Sequence, residues 1–76
     1  MNNVSIFGGN LADYATPAII VIHDAAMDVR FDGTIEQQRA AADIVHACRD
    51  ILRHRRDIAT DDEWVEADIA CQRIGA

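Results

Sequence analysis

The amino-acid sequence predicts an all-α protein, a small antiparallel three-helix bundle with a short N-terminal arm. Three stretches of the chain repeat apolar residues at helical spacing, and each stretch begins with helix-capping residues. Connections of about two or three residues separate the stretches, and such short connections place consecutive helices side by side and antiparallel. The chain of 76 residues is short enough to form one domain, which we assign to residues 1–76.

The N-terminal arm, residues 1–9, has the least regular pattern. Residues 4–7 fit either one short strand or an extended segment, which Gly8 and Gly9 would end. A single strand has no partner strand elsewhere in the sequence, so we expect the arm to contact the helices or another chain. Asn10 is a candidate cap for a single turn that follows it.

The first helix is predicted over residues 17–31. Thr16 and Pro17 are typical of a helix start, because a Thr side chain accepts a bond from a free N–H and Pro needs no donor there. The β-branched run 19–22 by itself favours a strand, but helical apolar spacing continues beyond it. This run covers more than one helix face and predicts burial on several sides. Gly33 is expected to end the helix with a positive φ.

The second helix is predicted over about 35–58, after a capping box formed by Thr34 and Gln37. Its apolar residues form two adjacent stripes that should face the core. The first stripe contains Ala41, Val45, Cys48 and Leu52, and the second contains Ile44, Ile51 and Ile58.

The third helix is predicted over about 61–74, after a second capping box formed by Thr60 and Glu63. Gly75 is placed to terminate it. Its apolar face contains Trp64, Ala67, Cys71 and Ile74. We expect Trp64 to be the largest side chain on that face.

Composition narrows the classes of function. Thirteen acids against seven bases give a net charge of −6, which disfavours direct nucleic-acid binding because that requires Lys and Arg to neutralise phosphates. No apolar run approaches the ~20 residues of a membrane span, and the basic start of a secretory signal is absent. Two separated cysteines without a C-x-x-C motif fit the reducing cytoplasm. We therefore expect a soluble cytoplasmic protein with no membrane partner.

Carboxylates on two predicted helices are the candidate partner-binding residues. At helical spacing they present anionic groups about 6 Å apart, comparable to phosphates along a nucleic-acid strand. The alternative is a solvated face whose acids stabilise helix starts. The candidates are Asp61, Asp62, Glu63, Glu66 and Asp68 on the third helix and Asp24 and Asp28 on the first.

The basic residues of the second helix form one cluster, RDILRHRRD. Its arginines either pair with an acidic partner or bridge to carboxylates of neighbouring helices and oppose the helix dipole. The cluster contains Arg49, Arg53, Arg55 and Arg56.

No constellation in the sequence predicts catalysis or a metal site. His46, Asp50 and His54 recur at a spacing of four residues, and adjacent pairs could chelate a divalent ion. However, His46 and His54 lie about 12 Å apart along a helix and cannot share one ion. Cys48 is two residues from His46, so the two side chains point to different faces and Cys48 fits a core position. We predict no cofactor, no metal and no enzymatic activity.

The predicted function is that of a small acidic protein-binding module. Its partner would be a larger protein or complex whose basic, nucleic-acid-binding surface it blocks. In size and acidity the chain resembles phage-encoded inhibitors of bacterial immune complexes, the anti-CRISPR type of nucleic-acid mimic. The alternative is a homo-oligomeric structural or accessory subunit, because half of the residues are hydrophobic but 13 are Ala, and a second copy could complete so thin a core.

Overall fold

The computed structural model describes residues 10–76 and contains three α-helices packed against one another. A 3-10 turn, Leu11–Asp13, precedes α1 (Thr16–Asp32), α2 (Ile35–Ile58) and α3 (Asp61–Ile74). The described part of the chain contains no strand, which confirms the predicted all-α three-helix bundle. The N-terminal arm and the strand considered for residues 4–7 lie outside the described residues.

Local capping chemistry places the ends of α2 and α3 where the sequence predicts them. At the start of α2, Gln37 N–H donates to Thr34 Oγ1 at 3.2 Å and Thr34 N–H donates to Gln37 Oε1 at 2.9 Å. At the start of α3, Thr60 N–H donates to Glu63 Oε1 at 3.3 Å. Gly75 ends α3 with φ 72°, in the left-handed region where a residue without a Cβ is favoured.

The two ends of α1 differ from the prediction. The helix begins at Thr16, but its N-cap is Ala15, which forms no side-chain cap, and the Thr16 hydroxyl instead accepts a bond from Arg55 at 2.9 Å. Gly33 has φ −82°, so the expected positive φ is wrong. Glycine is required there for close approach, because an added Cβ would lie 2.8 Å from the Val29 carbonyl oxygen.

The core consists of two groups of buried side chains. The larger group joins all three helices and contains Ile19, Cys48, Leu52, Ala70, Cys71 and Ile74. The smaller group lies between α1 and α2 and contains Ala26, Ala41 and Val45. The first predicted stripe of α2 is therefore buried along its whole length.

Two burial predictions are wrong. Trp64 is 45% exposed, so the buried face of α3 is formed by Ala70, Cys71 and Ile74 without it. Ile58 is 66% exposed, so the second predicted stripe of α2 does not face the core along its whole length. The β-branched run of α1 is buried on more than one side as predicted, because Ile19 is fully buried and Ile20 and Ile22 pack against the core, but Val21 is 67% exposed.

Three arginine contacts fix how the helices lie against one another. Arg55 near the end of α2 bonds Thr16 at the start of α1, which makes these helices antiparallel neighbours. Arg56 pairs with Asp68 of α3 at 3.2 Å. Near the end of α3, Arg73 Nη2 donates to Asp24 of α1 at 2.8 Å. These contacts lie beside the acids and grooves described below, and the buried core packs the same three helices together.

Candidate functional site

The seven candidate carboxylates fall into two groups, and two of them form ion pairs with arginines of the bundle. Asp68 accepts from Arg56 at 3.2 Å and from Gln72 at 2.8 Å. Asp24 accepts from Arg73 Nη2 at 2.8 Å. Asp68 and Asp24 therefore join helices to one another, and their charges are opposed by arginines inside the molecule.

Asp24 also accepts a hydrogen bond from the neighbouring histidine. His23 Nδ1 lies 3.1 Å from Asp24 Oδ1, and because a carboxylate can only accept, Nδ1 carries the proton. This hydrogen bond, together with the nearby Arg73 charge, lowers the pKa of Asp24. His23 itself is buried, and its Nε2 has no hydrogen-bond partner in the described structure.

The other five carboxylates are exposed, and four of them lie in the first two turns of α3. Asp61, Asp62 and Glu63 occupy the first turn, where the helix dipole stabilises negative charge. Glu66 follows one turn later. Within residues 10–76, none of these four forms an ion pair with an arginine or histidine. Asp28 on α1 is likewise exposed and unpaired there.

Glu63 and Glu66 border a groove of about 610 Å³, the α3 groove, which is lined by residues of all three helices. Its apolar walls include Ile58 of α2, 66% exposed, and Ile69 of α3, 59% exposed. The α3 groove thus combines large apolar side chains with carboxylates. The sequence places the acids but assigns Ile58 to the core, and its position in the last turn of α2 was the available signal that it is uncovered.

Two arginines also border the α3 groove, but both are bonded within the protein. Arg73 pairs with Asp24, and Arg55 donates to Thr16 and to the carbonyl oxygens of Ala12 and Tyr14. Neither forms an ion pair with Glu66. Glu66 therefore remains available to a positively charged partner. Glu63 accepts two hydrogen bonds from Thr60 at Oε1 within the capping box, but it is exposed and no arginine among the described residues forms an ion pair with it.

The arginine cluster of α2 is used mainly for packing. Arg56 bridges to a carboxylate of a neighbouring helix, as the second interpretation of the cluster predicts, and Arg55 holds the segment before α1. Among residues 10–76, the one ion pair of Arg53 is an exposed contact of 3.8 Å with Asp50. The Arg49 Nε is buried without a hydrogen-bond partner in the described structure.

The remaining motifs form no site in the described structure. His46, Asp50 and His54 are exposed along α2. In the range 10–76, no group of three or more His, Cys, Asp and Glu side chains is arranged to hold a metal ion. Cys48 is fully buried, and burial raises the pKa of its thiol. That environment disfavours the nucleophilic thiolate, as expected for a core cysteine.

No family model matches the chain, and it has no match among the curated proteins or the solved structures. In the helices of the described segment, length and apolarity never combine to the degree that crossing a bilayer requires. The α3 groove is the exposed feature from which we infer a function.

Proposed function

We propose that the protein is a small acidic module that binds a larger protein through the start of α3 and the α3 groove. The observation that supports this most is the position of Ile58 and Ile69, both more than half exposed, beside Glu63 and Glu66. A merely solvated helix face has no need of large apolar side chains. In protein interfaces, a few apolar anchors supply most of the affinity, while charged residues around them steer association and select the partner.

The outer face of α3 extends the same pattern. Val65 and Ile69 lie one turn apart and are each 59% exposed, and Asp62 and Glu66 recur at the same four-residue spacing beside them. Residues four apart are neighbours on a helix surface. The partner surface we infer has an apolar contact area bordered by Lys and Arg.

Proteins that hold nucleic acid in a basic groove have such surfaces, and the cytoplasmic inhibitor of a host nucleic-acid-binding complex is the most specific form of this proposal. Two of the seven candidate carboxylates, Asp24 and Asp68, form ion pairs with arginines within the bundle. The exposed patch is therefore short. This favours an interface with apolar anchors over an extended imitation of a phosphate backbone.

The test begins with affinity capture from a bacterial lysate, followed by kinetic measurements on the captured protein. Replacing Asp62 and Glu66 with Lys should slow association about tenfold or more at low salt. Ile69→Ser should mainly speed dissociation, because it removes an anchor. The matched control replaces Asp50 and Asp57, exposed acids of α2, with Lys. Equal effects of both charge reversals, or no effect of either, would contradict the proposal.

A second candidate function is a homo-oligomeric structural subunit. Three large apolar side chains, Val21, Phe31 and Ile35, are each exposed by two thirds or more around the α1–α2 hairpin, and burial against another copy would remove them from water. Sedimentation across a hundredfold dilution tests this candidate. A monomer at all concentrations would contradict it.

A further inference from the structure

A second groove lies between α1 and α2 and is separate from the α3 groove. This α1/α2 groove has a volume of about 380 Å³, and its lining contains residues of α1 and α2 but none of α3. Of its lining residues in the described chain, Gln37 is the one with a polar side chain, and that side chain is held by the Thr34 N–H. The apolar lining includes Val21, Ala25, Val29, Ala40 and Ile44.

Small side chains make the groove concave. Ala26 and Ala41 are buried in its floor, whereas Ala25 and Ala40 are exposed along it. Val21 stands at one wall and is 67% exposed. The wall from Val21 to Val29 is about 12 Å long, since a helix rises 1.5 Å per residue. Two to three turns of an added helix would fill this length.

Exposed carboxylates border the groove on its α1 side. Asp28 and Asp32 follow Val21 and Ala25 by seven residues each, and residues seven apart lie on the same side of a helix. Neither acid forms an ion pair with any of the described residues. The apolar wall of α1 is thus edged by unpaired negative charge.

Exposed carboxylates also border the groove on its α2 side. Glu36 precedes Ala40 by four residues and Asp43 follows it by three, so both lie beside Ala40 on the helix surface. Both are exposed, and neither is in an ion pair with a residue in the described range. Arg39 is the basic residue between them. Four acids against one base make the rim of the groove negative.

We propose that the α1/α2 groove binds a basic amphipathic helix of another protein. The apolar stripe of that helix would lie in the groove, and Lys or Arg on its flanks would face Asp28, Asp32, Glu36 and Asp43. Helix-in-groove recognition uses this combination of apolar anchors and complementary flanking charge. A second copy that paired the two grooves symmetrically would bring the same acids against the rim, so this proposal and the homo-oligomer considered above are competing explanations of the exposed Val21. The proposal does not depend on the α3 groove, which lies on other residues.

The probe is a synthetic amphipathic peptide of about 18 residues with Leu at helical spacing and Lys on both flanks. Fluorescence anisotropy of the labelled peptide with the full chain should show micromolar binding that weakens with added salt. A peptide with Glu in place of every Lys is the matched ligand control. Binding of the Glu peptide as tightly as the Lys peptide, or no binding of the Lys peptide, would overturn the proposal.

Two variants locate the binding on the protein. Ala40→Gln fills the groove at an exposed position and should weaken the Lys peptide at least about tenfold. Asp28→Asn with Asp43→Asn should weaken it about fivefold at low salt and much less at high salt. Asp50→Asn with Asp57→Asn, at exposed acids of α2 outside both grooves, is the control and should leave the peptide affinity unchanged. A loss of affinity in Ile69→Gln as large as that in Ala40→Gln would place the peptide in the α3 groove and overturn this proposal, which separates it from the proposed function.

Circular dichroism of each variant verifies that the helices are retained. Unchanged peptide binding by Ala40→Gln would overturn the proposal. So would a wild-type dimer that Ala40→Gln dissociates, because a second copy would then occupy the groove. Binding that requires removal of residues 1–9 would also overturn it, because the arm would then be the occupant.

Discussion

Arg55 of α2 forms hydrogen bonds to the segment before α1, and its replacement should make that segment less stably ordered. Its guanidinium donates to Thr16 Oγ1 and to the Ala12 carbonyl at 2.9 Å each, and to the Tyr14 carbonyl. The residues it joins are about forty positions apart in sequence. We predict that Arg55→Met, which keeps the apolar stem but removes the donors, lowers the free energy of unfolding.

The size of the effect follows from the burial of the three bonds. Hydrogen bonds from a charged donor contribute about 1.5–3 kcal/mol each when buried, and less when water can replace the donor. Two of the Arg55 bonds are partly buried and the one to Ala12 is exposed. We therefore expect a loss of about 2–3 kcal/mol, a large part of the ~4–11 kcal/mol typical of a domain of this size.

Urea denaturation followed by circular dichroism measures this loss, and amide exchange locates it. Exchange at residues 11–16 should accelerate in Arg55→Met while the centre of α2 stays protected. Arg53→Met is the matched control, because Arg53 lies on the same helix and its one ion pair among residues 10–76 is an exposed contact of 3.8 Å with Asp50. Arg53→Met should lower the free energy of unfolding by less than about 0.5 kcal/mol. If the two variants unfold at the same urea concentration, the Arg55 contacts do not stabilise the fold and the reasoning is refuted.

Three further predictions concern the core, pH and the exposed indole. Leu52 is 1% exposed, so Leu52→Ala should lower the free energy of unfolding, measured by urea denaturation, by about 2–5 kcal/mol. Val65→Ala, at an exposed site, should lower it by less than ~0.5 kcal/mol. The lowered pKa of Asp24 means that its carboxylate stabilises the folded state above the ordinary Asp range and that this contribution is lost as pH falls through the lowered pKa. Asp24→Asn should therefore be less stable than the wild type at pH 7, and the difference should shrink as pH falls below the ordinary Asp range. A difference that stays constant on acidification would contradict this. Trp64 should be readily quenched by acrylamide, and Trp64→Gln should change stability by less than ~1 kcal/mol, whereas an indole shielded from the quencher would contradict its exposure.

The helix ends could be predicted because they depend on residues close in sequence. The capping boxes at Thr34 and Thr60 and the left-handed Gly75 fix both ends of α3 and the start of α2 without reference to the rest of the fold. Gly33 shows the limit of this reasoning. Its role depends on the space beside Val29 and Gln37, which only the packed hairpin defines.

Burial was harder to predict than helix position. Periodicity identifies a helix face, but it does not say whether another helix lies opposite each turn of it. Trp64 and Ile58 belong to apolar stripes whose other members are partly or fully buried. Both are nevertheless exposed, because they lie next to the connection between α2 and α3. The same limit applies to the candidate site. The spacing of the acids along each helix could be predicted from the sequence. That Asp24 and Asp68 are paired with arginines could not be predicted, because those arginines lie on other helices.

The thin core and the exposed apolar grooves have one cause. The smaller of the two buried groups consists of two alanines and Val45, and those alanines leave the α1/α2 groove open above them. A ligand that binds only the folded chain adds stability by mass action, about 2.7 kcal/mol when its concentration is a hundred times its Kd. That gain is as large as the effect expected for Arg55. Occupation of the α1/α2 groove at that concentration should therefore raise the urea midpoint of the wild type by as much as Arg55→Met lowers it. The same peptide should raise the midpoint of Ala40→Gln no more than about half as far, because a tenfold weaker Kd leaves a gain of about 1.4 kcal/mol or less.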